Sequence, residues 1–194
     1  PVLSRGLGDV YKRQTLHLYS SKPPLLSLLL AGPYWLIIQA TGWTLGDHPF
    51  LLGRFMRILY GLIPLGIMIF ASCRCIEITG ATDRGKIWSA VAIAFGTFLT
   101  TFAVALTNHS FAAACTAVSL SCVLIITQKQ GRRWLLFATA GLTAGLAAAF
   151  DLPALAWTTA VVGILVLYDL RQTILATIPA VIVVLIAALG SNLL

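Results

Sequence analysis

The residues of this chain whose types and spacing could do chemistry are cations beside prolines and at the mouths of apolar segments. Tyr19-Ser20-Ser21-Lys22-Pro23-Pro24-Leu25-Leu26 sets one lysine and a diproline directly before a long apolar run. Proline fixes φ and has no N–H, so the pair reads as a rigid helix start with Lys22 held at a membrane–water boundary. Gly53-Arg54-Phe55-Met56-Arg57 opens the next apolar run, and an arginine at membrane depth is costly enough to be a functional hypothesis by default. Two polar turns complete the set, Thr107-Asn108-His109-Ser110 and Phe150-Asp151-Leu152-Pro153. Lysine and arginine at a bilayer surface can clamp a phosphate, and the two turns could line a site beside them. Each feature also has a plain structural counterpart: snorkelling for Lys22, Arg54 and Arg57, and helix capping for Asn108, Ser110 and Asp151.

The elements that must position these residues follow from composition. The chain has 194 residues, of which 59% are hydrophobic and 10% charged, with a mean hydropathy of +0.93. Soluble domains carry about 25% charged residues, so this reads as an integral, multi-pass membrane protein. The formal charge of +7 is spread over short loops between apolar segments, the pattern that encodes membrane topology, and leaves no nucleic-acid footprint. Cys73 and Cys75 form a lone C-x-C, weak evidence for metal. Cys115 and Cys122 lie in an apolar stretch where cysteine acts as a small hydrophobe. Neither a metal site nor a disulfide framework is expected.

Seven apolar stretches follow one another, near 24–43, 53–73, 87–107, 110–127, 134–149, 153–168 and 173–190. Most approach the ~20 residues needed to cross a bilayer as a helix, and the short turns between them predict antiparallel neighbours. Arg74, Arg84 and Lys86, then Lys129, Arg132 and Arg133, then Arg171 occupy alternate loops. The turns at 107–110 and 150–153 hold no Lys or Arg. The positive-inside rule makes the basic loops cytoplasmic and the other turns outward-facing. About six spans result, all-α, with the stretch 24–43 as a juxtamembrane or re-entrant helix or an extra span. Gly32-Pro33 is expected to interrupt that stretch, and Tyr34, Trp35 and Trp43 suit an interfacial belt. Lys22, Asp47, His48, Arg54 and Arg57 then share the outer side with the two polar turns. Gly141-x-x-x-Gly145, followed by Ala147-Ala148-Ala149, predicts close helix approach. Pro64 and Pro179 sit mid-span and are expected to kink their helices.

In order, Lys-Pro-Pro, Gly-Arg at a span start, basic loop, polar turn, basic loop and polar turn over residues 19–194 resemble the GT-C superfamily. These are polytopic membrane glycosyltransferases of the protein O-mannosyltransferase and lipid A aminoarabinose transferase type. The resemblance implies a GT-C-like helical bundle in a bacterial inner membrane, with its site on the periplasmic side. It implies a polyprenyl-phosphate sugar as donor, Lys22 and Arg54 on the donor phosphate, and Asn108, His109 and Asp151 as site lining. It also implies membrane lipid as a partner and an acceptor that is unknown. Similar proteins have an acid where Asn108-His109 stands and Thr-Lys-Gly where Phe150–Pro153 stands. Their catalytic acid lies in an outer loop ahead of Lys-Pro-Pro, so the catalytic residue is expected upstream of this sequence. A transporter or flippase-like protein and a non-catalytic membrane protein on the same scaffold remain as alternatives.

Ser4 to Gln14, SRGLGDVYKRQ, resembles the in-frame translation of a transposase adapter used in sequencing libraries. The expectation is that residues 1–14 are not native, that the native chain begins near Thr15, and that it is an internal fragment. Such segments are set aside from fold reasoning. Deleting residues 1–14 should leave membrane insertion and thermal stability unchanged within error, checked by carbonate extraction and a melting curve in detergent.

Overall fold

The computed structural model describes residues 25–129 and 133–191; Lys22 and the adapter-like segment lie outside the described residues. Every regular element among the described residues is helical. In chain order these are α1 (Leu25–Thr41), α2 (Pro49–Thr79), α3 (Asp83–Phe95), α4 (Leu99–Val104), α5 (Asn108–Gln128), α6 (Trp134–Phe150), α7 (Leu155–Tyr168) and α8 (Leu170–Gly190). Three of them, α2, α5 and α8, are long and apolar enough to cross a membrane. The shorter α6 and α7, at 17 and 14 residues, fall below the ~20 residues of a full span. Bulky apolar side chains such as Phe70, Trp88, Phe95, Leu167 and Val183 are exposed on the helices' outward faces. A surface of this kind suits lipid rather than water.

The helix expected over 53–73 extends at both ends, to Pro49 and Thr79, so Cys73, Arg74 and Cys75 are helical and not in a loop; two further boundaries depart from expectation. The first is 87–107, expected as one span and found as α3 and α4 separated by Gly96–Phe98. Gly96 N–H closes α3 on the Ala92 carbonyl (2.8 Å), while Thr97 Oγ1 donates to the Ile93 carbonyl (2.9 Å). Side-chain competition of this kind weakens a helix, and glycine is its poorest non-proline former. After α4 the chain is extended, with Ala105 at φ −99°, ψ 137° and Thr107 at φ −127°, ψ 146°.

The second departure is at Gly32-Pro33, where the expected interruption is absent and α1 runs unbroken from Leu25 to Thr41. Pro33 has no N–H for the carbonyl of Leu29, one turn earlier. The Tyr60 hydroxyl of α2 donates to that carbonyl instead, at 2.5 Å. Helix α1 ends where Gly42 adopts φ 72° and its N–H returns to the Ile38 carbonyl (2.8 Å), the left-handed glycine stop. A tight turn follows, with Thr44 Oγ1 donating to Asp47 Oδ2 (2.5 Å), and Pro49 starts α2.

Both mid-span prolines follow a widened turn. Ile58–Leu62 and Thr173–Thr177 are π-helical, just before Pro64 and Pro179. A π turn moves the carbonyl that a proline ring would otherwise strike, so α2 and α8 continue through both sites.

Helix α6 is the centre of the bundle. Phe137, Ala140, Ala144 and Ala147 are fully buried on it, packed with Ile126 of α5 and with Val161 and Leu165 of α7. The small-residue pattern seats α8: a Cβ on Gly141 would run into the Thr177 carbonyl, and one on Gly145 would come 3.3 Å from Val184 Cβ. Three side chains tie the neighbours together. Thr177 Oγ1 donates to the Phe137 carbonyl (3.1 Å), Thr158 Oγ1 to the Ala144 carbonyl (2.7 Å), and Trp157 Nε1 to Ser119 Oγ (2.7 Å).

The Tyr60 bond to Leu29 generates a prediction. Tyr60→Phe should destabilise the protein by about 0.6 kcal/mol, the mean for interhelical bonds in membranes. In a Pro33→Ala background an N–H is restored for Leu29, so the same change should cost less. Urea or SDS unfolding of the four proteins of this cycle gives the coupling.

Candidate functional site

The polar residues singled out in the sequence gather at the end of the bundle where α4 meets the start of α5. There the turn before α5 and the turn after α6 lie side by side, because the two helices are antiparallel neighbours. His109 Nδ1 and Asp151 Oδ2 are 2.8 Å apart across these turns. Asp151 stands at the N-cap position of the turn Leu152–Ala154, yet its side chain makes no capping hydrogen bond. The carboxylate is given to His109 instead. The pair is asymmetric, with the Asp151 side chain 28% exposed and that of His109 62%.

A cavity of about 490 Å³ surrounds the pair, lined by Phe102, Thr107, Asn108, His109, Phe150 and Asp151 together with Leu152 and Pro153. Phe102 meets the His109 ring edge-on, with centroids 6.3 Å apart. Thr107 Oγ1 and Ser110 Oγ are 3.3 Å apart, so Ser110 is engaged locally and buried. Beneath the pair runs an aromatic row. Phe150 stacks on Phe111 at 5.1 Å, and Phe111 meets Tyr60 at 5.9 Å.

Arg54 and Arg57 occupy a second cleft, about 250 Å³ in volume and otherwise apolar, lined also by Ile58, Leu62, Ala103 and Val104. Arg57 Nε donates back to the Gly53 carbonyl (3.2 Å), which turns its guanidinium toward the start of α2. Arg54 makes no hydrogen bond or ion pair among the described residues. The two sites share a wall: Phe102 of α4 faces the His109 cavity, and the next two residues, Ala103 and Val104, face the arginine cleft. Helix α4 can lie this close because its Ala103 carbonyl seats against Gly61, where any Cβ would collide with it.

The structure therefore brings together Asn108, His109 and Asp151, and places Arg54 on the other side of α4. It does not join Asp47 or His48 to either cavity. Asp47 is held by Thr44, and His48 lies against the Trp43 ring with centroids 4.7 Å apart. Lys22 lies outside the described residues, but the first turns of α1 that follow it reach the aromatic row through Leu29 and Tyr60. Sequence reasoning undervalued Arg57, which lines the same cleft as Arg54, and passed over Phe102, Tyr60 and Phe111. The Gly96-Thr97 pair was the available signal for the helix break that creates the dividing wall.

The opposite end of the bundle is charged in a mixed way. Arg74 Nη1 and Glu77 Oε2 pair at 2.8 Å, and a cavity of about 410 Å³ lies among Cys73, Glu77, Asp83 and Lys86. Thr82 Oγ1 caps α3 by accepting from Gly85 N–H (3.2 Å).

No family model matches this chain, and no curated protein or solved structure matches it either.

The contact between Gly61 and Ala103 carries a direct prediction. Gly61→Val should push α4 off α2, with a destabilisation of about 1–3 kcal/mol as for other overpacked sites. Gly66→Ala, where a Cβ meets nothing within 4 Å, should be neutral by the same melting measurement.

Proposed function

We propose that this chain belongs to a membrane glycosyltransferase that moves a sugar from a polyprenyl-phosphate donor to an acceptor. The observation that carries the reading is the arginine cleft. Arg54 and Arg57 line one cleft with Ile58, Leu62 and Val104, a composition that suits a phosphate headgroup attached to an apolar chain. As the glycosidic bond breaks, negative charge develops on the departing phosphate. Paired arginines stabilise such charge through charge-assisted, bidentate hydrogen bonds. Lys22 adds a third cation in this reading. Asn108, His109 and Asp151 line the cavity on the other side of α4, which in this reading receives the acceptor, with the donor's sugar reaching it around that short helix. The resemblance of the ordered motifs to GT-C enzymes supports the same assignment. The alternation of basic loops supports an inner-membrane protein whose site faces the periplasm.

A transporter or flippase-like reading draws on one observation, the discontinuity between α3 and α4, since broken helices form transporter sites. The segment 96–107 holds no ionisable residue, which weighs against an ion-coupled site there.

Binding of a polyprenyl-phosphate hexose to the chain in nanodiscs tests the proposal. A charge-assisted hydrogen bond is worth about 1.5–3 kcal/mol, so Arg54→Ala and Arg57→Ala should each weaken binding roughly ten- to a hundredfold. Arg84→Ala, at the opposite end, should not. Wild-type affinity in both cleft variants, with folding intact, would remove the phosphate assignment.

A further inference from the structure

We infer that His109 is a proton acceptor oriented by Asp151, and that the cavity around the pair takes a hydroxyl of a sugar or polyol acceptor. The step assigned to His109 rests on the glycosyl-transfer reading, but the geometry behind it stands independently. An ionised carboxylate can only accept hydrogen bonds. The 2.8 Å approach of Asp151 Oδ2 to Nδ1 therefore assigns the neutral imidazole's proton to Nδ1. The lone pair is left on Nε2. Among the described residues Nε2 has no hydrogen-bond partner, and its ring lines the cavity.

The surroundings fit a hydroxylated ligand. Phe102 and Phe150 supply flat apolar walls, while the Asn108 amide and Thr107 hydroxyl supply polar groups on the same cavity. A mostly apolar pocket with a few placed polar groups is the usual form of a small-molecule site. Asp151 acts as a positioning residue. It forgoes the cap of the following turn, is the more buried partner, and holds the imidazole from one side of the cavity that both residues line. On α4, the start of α5, the end of α6 and the turn into α7, the only other titratable or charged side chain near His109 is Asp151 itself. Arg54 and Arg57 lie beyond α4 in the other cleft.

In the transfer step the acceptor O–H gives its proton to His109 Nε2 as the acceptor oxygen forms a bond to the anomeric carbon. The bond from that carbon to the phosphate oxygen breaks, and its electron pair leaves with the phosphate. Asp151 balances the charge of the imidazolium that forms, and no oxidant or further reactant is needed.

The test uses the full-length protein in nanodiscs with a polyprenyl-phosphate hexose and glycerol as acceptor probe, from pH 5 to 9. The readouts are glycoside formation by mass spectrometry, donor affinity, and the tautomer of ¹⁵N-labelled histidine. His109→Gln should lower kcat by about 10²–10⁴-fold, the span of general-base contributions, with donor affinity unchanged. Wild-type kcat should rise with pH along a limb that His109→Gln lacks. Asp151→Asn should lower kcat and abolish the Nδ1–H tautomer of His109, and Asp151→Glu should recover both in part. Wild-type kcat in His109→Gln overturns the inference and leaves the donor reading standing. A wild-type chain that binds donor but forms no glycoside also overturns the step. If the wild-type chain binds no donor, the glycosyl-transfer reading itself fails, and the tautomer decides the His109 assignment alone. The Nε2–H form in the wild-type protein overturns it under every outcome.

Discussion

Inside an apolar bundle, each polar group removed from water must find its partner within the protein, and this requirement accounts for most of what holds the present structure together. The Leu29 carbonyl, orphaned by Pro33, is taken by Tyr60. The hydroxyls of Thr177 and Thr158 are spent on carbonyls of the central helix α6, and the Trp157 indole on Ser119. No buried side-chain nitrogen or oxygen among the described residues is left without a partner. Apolar packing alone discriminates little between helix and lipid, because both are hydrocarbon. Bonds of this kind and close approach at Gly141 and Gly145 give the bundle its register.

The same requirement makes the site possible. A helix that ends at Gly96 and restarts at Leu99 exposes backbone that water would normally satisfy. Here the restarted helix is held against α2, where Gly61 admits the Ala103 carbonyl. Ser110 Oγ also approaches the Phe102 carbonyl, at 3.4 Å. The outcome is a short, fixed wall with an apolar cleft carrying two arginines on one side and a polar cavity on the other. The aromatic row from Tyr60 through Phe111 to Phe150 ties that wall's surroundings to the start of α1, so the pieces of the site come from widely separated parts of the chain.

The two compartments differ in chemical character. The cleft is cationic with a greasy floor, suited to an anionic headgroup on an apolar chain. The cavity holds an imidazole–carboxylate pair between aromatic walls.

Composition and periodicity alone determined that the chain is an apolar helical bundle, because a run of apolar residues in lipid has no way to satisfy its backbone except as a helix. They placed α5, α6, α7 and α8 within a few residues, and the Gly141-x-x-x-Gly145 pattern announced a close helix approach whose partner, α8, only the structure shows. They also marked Arg54, Asn108, His109 and Asp151, since polar residues stand out against such a background. Hydropathy could not show that 87–107 is two helices, because Gly96 and the threonines after it are nearly as apolar as a span requires. Nor could it foresee that Pro33 leaves α1 intact, since the remedy comes from Tyr60, far along the chain. The pairing of His109 with Asp151 and the division of the site by α4 were decided only in three dimensions. Both depend on which turns the antiparallel helices bring together, and a hydrogen bond between distant residues leaves no periodicity in the sequence.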